Sequence, residues 1–365
     1  MIESGLLVRK LRLEPVDTSS CAYINSGVKL NGRGPELGVR VQPIIRINGK
    51  LVTAKGDKIA LYRRNGDGSY HVVNDEFVTP YGKYDAAEDL IFDNINGGNF
   101  ATCNMVEPIK ISDFPKDIRE RLINQTPVEF RHLLTAERTS VPGYFRVEDK
   151  KAIQIGEITA PWKYYGIKSL TELPRVRGEK FFIGRIFHSP YSDKPEIVLF
   201  HRKKGGRLCT NELGNLEPVA SFAALAPKDS NAVLGISSAV DFVDGCWLVF
   251  FHVVTSLEPD REYHHGFFLL DPDNPTKIIA FSERDVLNPS HFCCDGDAVC
   301  QYAVYFRNFI YNPYRKTIES VVSARDMDIN HIRANWTSWR SVIRPVRGRE
   351  LTINLSNNSH ARILI

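Results

Sequence analysis

Short runs of β-branched and aromatic residues, each ending at a turn signal, restrict the fold of this chain more than any other feature. The Asn-Gly, Asp-Gly and Gly-Gly pairs between such runs are typical of tight hairpins. The runs occupy residues 39–47, 181–187, 196–200, 247–254, 266–270, 299–306 and 319–324. The sequence therefore predicts a mostly β protein.

Residues 112–125 form an exception to the β pattern. A proline lies near the start of this segment, and Ile118, Leu122 and Ile123 fall on one side of a helical projection. These are the features of a short amphipathic helix. We expect this helix to link two sheet units.

Hairpin signals recur inside larger blocks, each with a hydrophobic strand and a more polar strand, as in the blades of a β-propeller. Five equal blocks would hold about 73 residues each, which leaves room for long loops between the strands. A β-sandwich or two smaller β domains would give the same local pattern. No linker marks a second domain, so the prediction is a five-bladed β-propeller with one domain over residues 1–365, closed by strands within 6–13 and 351–365.

Charge and cysteine content exclude several classes of function. Lys plus Arg number 47 and Asp plus Glu 43, a net charge of +4 that does not favour nucleic acid or a membrane as partner. The N-terminus lacks a signal-peptide pattern, and the seven cysteines show no disulfide spacing, which predicts a cytoplasmic chain. The cluster 293–300 contains three cysteines without a second ligand pair, so we expect neither a metal nor a cofactor. Nucleotide-binding glycine loops and a serine-esterase elbow are also absent from suitable contexts.

Four stretches, in order, resemble a known family. They are Gln42-Pro43 with Gly49-Lys50, then Glu88-Asp89, then Lys168-Ser169 with Leu173-Pro174, and last 245–252 followed by Tyr263-His264-His265-Gly266 and Leu270-Asp271. Their order and spacing are similar to the five-bladed propellers of the β-mannoside phosphorylases and hydrolases, glycoside hydrolase family 130, which has mannosyltransferase relatives. The resemblance covers residues 40–280. It implies inverting glycosyl transfer at an anomeric carbon to phosphate, water or a sugar acceptor, with a carbohydrate and inorganic phosphate as partners.

Two departures from the family pattern bear on the chemistry. Where the family carries an Asp after the Lys, as proton donor to the glycosidic oxygen, this chain has Ser169, whose hydroxyl cannot act as a general acid near neutral pH. The Arg of the family's Glu-Asp-Pro-Arg signature is also missing after Glu88-Asp89. The alternative is therefore a glycan-binding or scaffold propeller that has lost its acid.

Candidate site residues follow from the resemblance and from residue chemistry. Inversion by water needs an acid and a base, whereas a phosphorylase needs an acid and cations for the phosphate. The catalytic candidates are Asp89, Glu172 and Asp241, and the substrate-binding candidates are Glu88, Lys168, His252, Arg261, Tyr263 and His265. Each has an ordinary alternative as a solvated charge or a packed core residue.

Side-chain alternation adds two expectations about neighbouring candidates. Because successive side chains of a strand point to opposite faces, at most one of Glu88 and Asp89 should line a pocket. The same rule predicts that only one of His264 and His265 faces inward.

Overall fold

The structure is a computed structural model that describes residues 5–16, 21–31, 34–47, 50–53, 57–93, 99–158, 162–190, 194–202, 216–225, 233–237, 241–255, 261–283, 285–292, 302–325, 328–346 and 353–354. These residues form five antiparallel sheets whose first strands lie next to one another around a central axis. The protein is therefore a five-bladed β-propeller, as predicted.

The strands of each blade follow one another in the chain. Blade one contains β2 (Cys21–Asn31), β3 (Gly34–Ile47), β4 (Lys50–Thr53), β5 (Lys58–Arg64) and β6 (Tyr70–Val78). Blade two contains β7 (Ala86–Phe92), β8 (Phe100–Lys110), β9 (Ala136–Glu148) and β10 (Lys151–Glu157). Blade three contains β11 (Ile167–Glu172), β12 (Lys180–Ile186), β13 (Glu196–Arg202) and β14 (Leu216–Ser221).

The last two blades complete the ring. Blade four contains β15 (Val233–Ile236), β16 (Asp241–Val243), β17 (Cys246–Val254), β18 (Tyr263–Leu270) and β19 (Ile278–Ser282). Blade five contains β20 (Val304–Asn312), β21 (Thr317–Ala324), β22 (Asp328–Asn335) and, from the start of the chain, β1 (Leu6–Lys10).

Two closing strands are expected, one within 6–13 and one within 351–365, and the structure confirms only the first, in blade five. β1 pairs antiparallel with β22 and forms the outer edge of blade five. Two strands near the C-terminus go elsewhere: β23 (Ile343–Pro345) pairs with β19 of blade four, and β24 (Ile353–Asn354) pairs with β14 of blade three. Since β1 already occupies the edge of blade five, the C-terminal strands cover the open edges of other blades. The rest of 351–365 lies outside the described residues.

Local turn chemistry explains the hairpins. Arg177-Gly178 and Asp244-Gly245 each combine two consecutive positive φ angles, 53° with 80° and 51° with 82°. This is the type I′ geometry whose twist matches that of the flanking strands, and a residue without a Cβ suits its second position. Asp244-Gly245 is one of the Asp-Gly pairs that predict a hairpin, and Arg177-Gly178 forms the same turn without an Asn-Gly or Asp-Gly signal.

Helices are few and short. The predicted amphipathic helix is α1 (Lys116–Gln125), which buries Ile118 and Leu122. It lies between β8 and β9 inside blade two, so the expectation that it links two sheet units is wrong. The other helices are α2 (Trp162–Tyr165) and α3 (Trp336–Arg340), with 3-10 turns at Ile111–Asp113, Val128–Leu133, Ala223–Leu225 and Pro289–His291. Within the described ranges no helix is long and apolar enough to span a bilayer.

The hydrophobic core lies between neighbouring blades. One cluster joins blades one, two and three, another joins three and four, a third joins four and five, and a fourth joins five and one. Phe250 packs at the centre of the third, with its ring centroid 4.5 Å from that of Phe306 and 4.9 Å from that of Phe309. Apolar side chains on both faces of each sheet therefore hold the ring closed.

A bulge interrupts the first strand of four blades. The pairing register shifts after Asn25 in blade one, Glu88 in blade two, Lys168 in blade three and Arg307 in blade five. Asp89, Ser169 and Asn308 have φ angles of 50°, 56° and 33°, in the left-handed region. A bulge redirects the side chains beside it, so these strands deliver consecutive polar residues toward the axis.

Candidate functional site

Asp89 lies where three blades meet. Its Oδ1 is 3.2 Å from Arg307 Nη2 of blade five, and its Oδ2 is 3.1 Å from Lys168 Nζ of blade three. Asn104 Nδ2, on the neighbouring strand, donates to Oδ2 at 3.0 Å. Burial opposes ionisation of Asp89, but Arg307 and Lys168 outweigh it and hold the pKa of the carboxyl below its usual range. Asp89 is therefore a carboxylate near neutral pH.

Asp89, Arg307, Lys168 and Asn104 form a cluster, and Glu88 connects this cluster to blade one. Lys168 Nζ donates to Glu88 Oε2 at 2.7 Å, and Arg40 Nη2 donates to Glu88 Oε1 at 2.8 Å. Arg40 also forms an ion pair with the buried Asp57. Burial of Glu88 is outweighed by Arg40 and Lys168, which lower its pKa to about 2. For Asp57 burial prevails over Arg40 and raises the pKa of the carboxyl.

The expectation that Glu88 and Asp89 point to opposite faces is wrong. Lys168 Nζ contacts both carboxylates, at 2.7 and 3.1 Å. The physical reason is the bulge at Asp89, where the left-handed backbone breaks the alternation of the strand. The alternation rule holds for the histidine pair on the regular strand β18, where His265 is buried and His264 forms an outer ion pair with Asp285.

Ser169, on β11 of blade three, is hydrogen-bonded to Arg307 of blade five. Its Oγ accepts a hydrogen bond from Arg307 Nη1 at 2.9 Å, and its backbone N–H donates to Asn104 Oδ1 at 2.9 Å. Arg307 Nη1 also donates to the carbonyl of Ile236 in blade four at 3.1 Å. The position assigned to the proton donor thus contains a hydroxyl beside a guanidinium, and Asp89 and Glu88 next to it are both ionised.

Arg185 differs from the other cations of this cluster because none of the described carboxylates pairs with it. It lies on β12 opposite Lys168, with its guanidinium carbon 4.2 Å from the centroid of the Phe187 ring. Its Nε is buried without a hydrogen-bond partner among the described residues. Burial lowers its pKa to about 10, so it stays charged near neutral pH, and it interacts electrostatically with Asp89 and Tyr263. A desolvated and unpaired guanidinium is a favourable place for an anion.

Two histidines and a serine form a buried network in blade four. Ser237 Oγ lies 2.9 Å from His252 Nδ1 and 3.0 Å from His265 Nδ1, and His265 Nε2 lies 2.8 Å from the carbonyl oxygen of Val304. Both ring nitrogens of His265 are therefore occupied, which reassigns it from substrate binding to holding the network. Burial first, and then His265 and Arg307, lower the pKa of His252 well below its usual value.

Two further binding candidates lie near this network. The Tyr263 ring centroid is 5.4 Å from that of His252, and its hydroxyl is 3.0 Å from the hydroxyl of Tyr305. Arg261 is partly exposed and is one of the charges that act on the pKa of Arg185. Both stay predictions as ligand contacts.

The structure does not bring the catalytic candidates Glu172 and Asp241 into the cluster around Asp89. Glu172, at the far end of β11, forms an ion pair with Lys180 at 2.7 Å and accepts from Tyr144 at 3.3 Å. Asp241 accepts backbone hydrogen bonds from Tyr311 at 3.0 Å and Phe242 at 2.7 Å, and burial raises its pKa. Both carboxylates thus have structural partners away from Asp89.

The described part of the chain holds no group of three His, Cys, Asp or Glu side chains arranged for a metal ion. The cysteine cluster 293–300 lies outside the described residues.

Sequence reasoning missed five members of the cluster, namely Arg40, Asp57, Asn104, Arg185 and Arg307. One signal was present: three bulged strands repeat a charged residue, a short polar residue and an apolar residue, as Glu88-Asp89-Leu90, Lys168-Ser169-Leu170 and 307–309. Aligning these triplets would have placed Arg307 beside Lys168 and Glu88. No comparable signal marks Arg185.

Comparison with known proteins places the fold. No family model matches the sequence, and no curated protein matches it. Among solved structures, the β-1,2-mannobiose phosphorylase of Listeria innocua with bound β-1,2-mannobiose is similar at a TM-score of 0.61 and 13% identity, over 90% of this chain and 94% of that one. A mannose phosphorylase of Leishmania mexicana with a phosphate ion is similar at a TM-score of 0.58 and 12% identity, over 94% and 92%.

A third similar structure belongs to the GH130 family of mannoside phosphorylases, which contains glycoside hydrolases that target β-1,2-mannosidic linkages in Candida mannan. Its TM-score is 0.58 at 10% identity, over 87% of this chain and 85% of that one. The shared feature is the fold. The five-bladed propeller predicted from the resemblance is thereby confirmed, whereas identities this low carry no residue roles from one chain to another.

Proposed function

We propose that this protein binds a carbohydrate and a phosphate group at the cluster around Asp89 and transfers a glycosyl unit with inversion between them or to another acceptor. The observation that carries the proposal is Arg185. Of the four cations around the site, Arg40, Lys168 and Arg307 are paired with carboxylates, whereas none of the described carboxylates forms an ion pair with Arg185. The Nε atoms of Arg185 and Arg307 both have no described hydrogen-bond partner. A phosphate group would supply the counter-charge that the Arg185 guanidinium lacks.

The rest of the site suits a sugar. The carboxylates of Asp89 and Glu88 accept hydrogen bonds from hydroxyls, and Lys168 keeps one of its three N–H donors beyond the two carboxylates that it contacts. The similar structures support this choice of ligands, because one holds β-1,2-mannobiose and another a phosphate ion.

The test compares two arginines that differ in their partners. Arg185→Gln should weaken binding of inorganic phosphate about tenfold or more, because a charged hydrogen-bond donor is lost. It should leave the melting temperature unchanged or raise it, since it removes a desolvated charge that forms no ion pair with a described carboxylate. Arg307→Gln is the matched control: it breaks the buried pair with Asp89 and should lower the melting temperature.

Calorimetric titration with phosphate and thermal unfolding measure both effects. Unchanged phosphate affinity in folded Arg185→Gln protein, or no phosphate binding by the wild type, would refute the anion site.

The second candidate is a propeller that binds a glycan without catalysis. It is favoured by Ser169 at the donor position and by the ionised states of Asp89 and Glu88, because protonation of a leaving glycosidic oxygen needs an acid. Incubation with β-1,2-mannobiose and phosphate, and with mannose 1-phosphate and mannose, separates the two. Formation of mannose 1-phosphate in the first reaction, or release of inorganic phosphate in the second, supports the enzyme, and saturable binding without turnover supports the binding protein.

A further inference from the structure

His252, His265 and Ser237 come together because of their positions in blade four. His252 on β17 and His265 on β18 are directly opposite each other in the pairing register, so their side chains lie on one face of the sheet. Ser237 follows β15, and its hydroxyl lies within 3.0 Å of both Nδ1 atoms. All three residues are buried, with at most 5% of their surface exposed.

The carbonyl of Val304 fixes the direction of all three hydrogen bonds in the network of His252, Ser237 and His265. A carbonyl only accepts, so His265 Nε2 carries a proton and donates to it at 2.8 Å. Burial lowers the pKa of His265 to about 4, which keeps the ring neutral and leaves a lone pair on Nδ1. Ser237 therefore donates its single hydroxyl proton to His265.

The same reasoning then fixes the tautomer of His252. With its proton committed to His265, Ser237 Oγ acts as an acceptor toward His252, so His252 Nδ1 must carry the proton. Since this ring is also neutral, its Nε2 has a lone pair. That atom has no hydrogen-bond partner among the described residues.

The ring of His252 lies within electrostatic reach of the cluster around Asp89. Besides His265, the charged groups that act on His252 are Arg307, Arg185 and Asp89, all members of the cluster. A Cβ on Gly235, its cross-strand neighbour, would lie 2.4 Å from Nε2, so the ring fits in this position only against a glycine.

We propose that Ser237 and His265 are positioning residues that lock His252 in the Nδ1–H tautomer, so that Nε2 accepts a hydrogen bond from a hydroxyl of the bound ligand. This inference rests on the proposed function. The lone pair repels a fully ionised oxygen and binds an O–H donor, which is either a sugar hydroxyl or the P–OH of monohydrogen phosphate. His252 thereby selects hydroxyl-bearing ligands beside the cation Arg185.

The tautomer is measured on the ligand-free protein. Long-range nitrogen–proton NMR spectra distinguish a protonated from an unprotonated ring nitrogen, and loss of signals in His252→Gln assigns them. The expected result is Nδ1–H with unprotonated Nε2 in the wild type, and a shift toward Nε2–H in Ser237→Ala. Ser323→Ala is the matched control, because Ser323 is fully buried and its hydroxyl has no hydrogen-bond partner among the described residues.

Titrations identify the source of the hydroxyl. Ser237→Ala should weaken binding of one probe about fivefold, the cost of one hydrogen bond, while Ser323→Ala changes neither. A weaker affinity for β-1,2-mannobiose alone assigns the hydroxyl to the sugar. A weaker affinity for phosphate, with sulfate binding unchanged, assigns it to P–OH.

The outcomes separate this inference from the proposed function. An Nε2–H tautomer in the wild type, or a tautomer unaffected by Ser237→Ala, overturns the lock whatever the protein binds. A tautomer that shifts while both affinities stay constant overturns the role of Nε2 in ligand binding. If the wild type binds neither probe, the proposed function fails and the ligand role fails with it, whereas the NMR result still decides the lock.

Discussion

Replacing Asp89 by asparagine removes the carboxylate that pairs with Arg307, the only such partner that Arg307 has among the described residues. The side chains of both residues are only 3% exposed, and Arg307 Nη2 lies 3.2 Å from Asp89 Oδ1. Lys168 keeps Glu88 as a second partner, so the cost falls on Arg307. Breaking a buried ion pair by removing one member destabilises a protein by about 3–5 kcal/mol.

The size of the chain converts this cost into a temperature. With 365 residues and a typical unfolding entropy per residue, Asp89→Asn should lower the melting temperature by about 4–7 °C. The control is Asp75→Asn, the same substitution in a pair with Lys58 at 3.0 Å, in which the aspartate side chain is 51% exposed. Exposed pairs contribute at most about 1 kcal/mol, so the control should shift the transition by about 1 °C.

The pH dependence has a definite sign. Because the pKa of Asp89 is lower in the folded protein, its stabilisation is complete above the unfolded pKa of about 4 and is lost as the pH falls toward the folded value. The gap between wild type and Asp89→Asn should therefore narrow below about pH 4.

A double variant tests the pairing itself. Asp89→Asn combined with Arg307→Gln should destabilise by about 1–3 kcal/mol less than the sum of the single variants, because the second change removes the unpaired charge. Scanning calorimetry at several pH values measures all three variants. Strict additivity, or an Asp89→Asn shift no larger than that of Asp75→Asn, would refute the reasoning.

Three other predictions concern the core, a second buried carboxyl and the missing acid. Phe250→Ala should destabilise by about 3–5 kcal/mol, because the ring packs between blades four and five, whereas Phe242→Ala, at a side chain with 47% exposure, should cost far less in the same denaturation experiment. Glu196 is buried against the hydroxyls of Ser189 and Ser221 without a described cation, and burial raises its pKa, so the folded protein loses stability as the pH rises above the unfolded pKa of Glu196. The stability of Glu196→Gln relative to the wild type should therefore rise from about pH 4.5 to pH 7, and parallel pH profiles would contradict this. Ser169→Asp should raise phosphate-dependent cleavage of β-1,2-mannobiose if the protein is an enzyme, since it restores a carboxyl group, which can donate a proton, at the position of the hydroxyl. A variant that binds normally but stays inactive would favour the binding protein.

Local interactions determined much of the fold, and these were predictable from residue order. The apolar runs became strands, Arg177-Gly178 and Asp244-Gly245 became tight turns, and 116–125 became a helix with Ile118 and Leu122 buried. Each of these depends on residues within about ten positions of one another, so periodicity and turn chemistry suffice to predict them.

The site depends on closure of the ring, which no local pattern encodes. Asp89 and Arg307 are 218 positions apart and meet only because blade five comes back beside blade two. The site residues predicted from the resemblance and from residue chemistry include Asp89, Glu88 and Lys168, which do converge, and Glu172 and Asp241, which have other partners.

The orientation of side chains at the axis was likewise decided by tertiary structure. Period-two alternation assigned Glu88 and Asp89 to opposite faces, but left-handed backbone at Asp89 directs both carboxylates to Lys168. The sequence by itself determined where strands begin and turn, since short-range sterics and hydrogen bonds control those steps. Only the closed ring decided which charges face one another, because it buries side chains that are far apart in the sequence next to one another. Their pairing then compensates the cost of removing each charge from water.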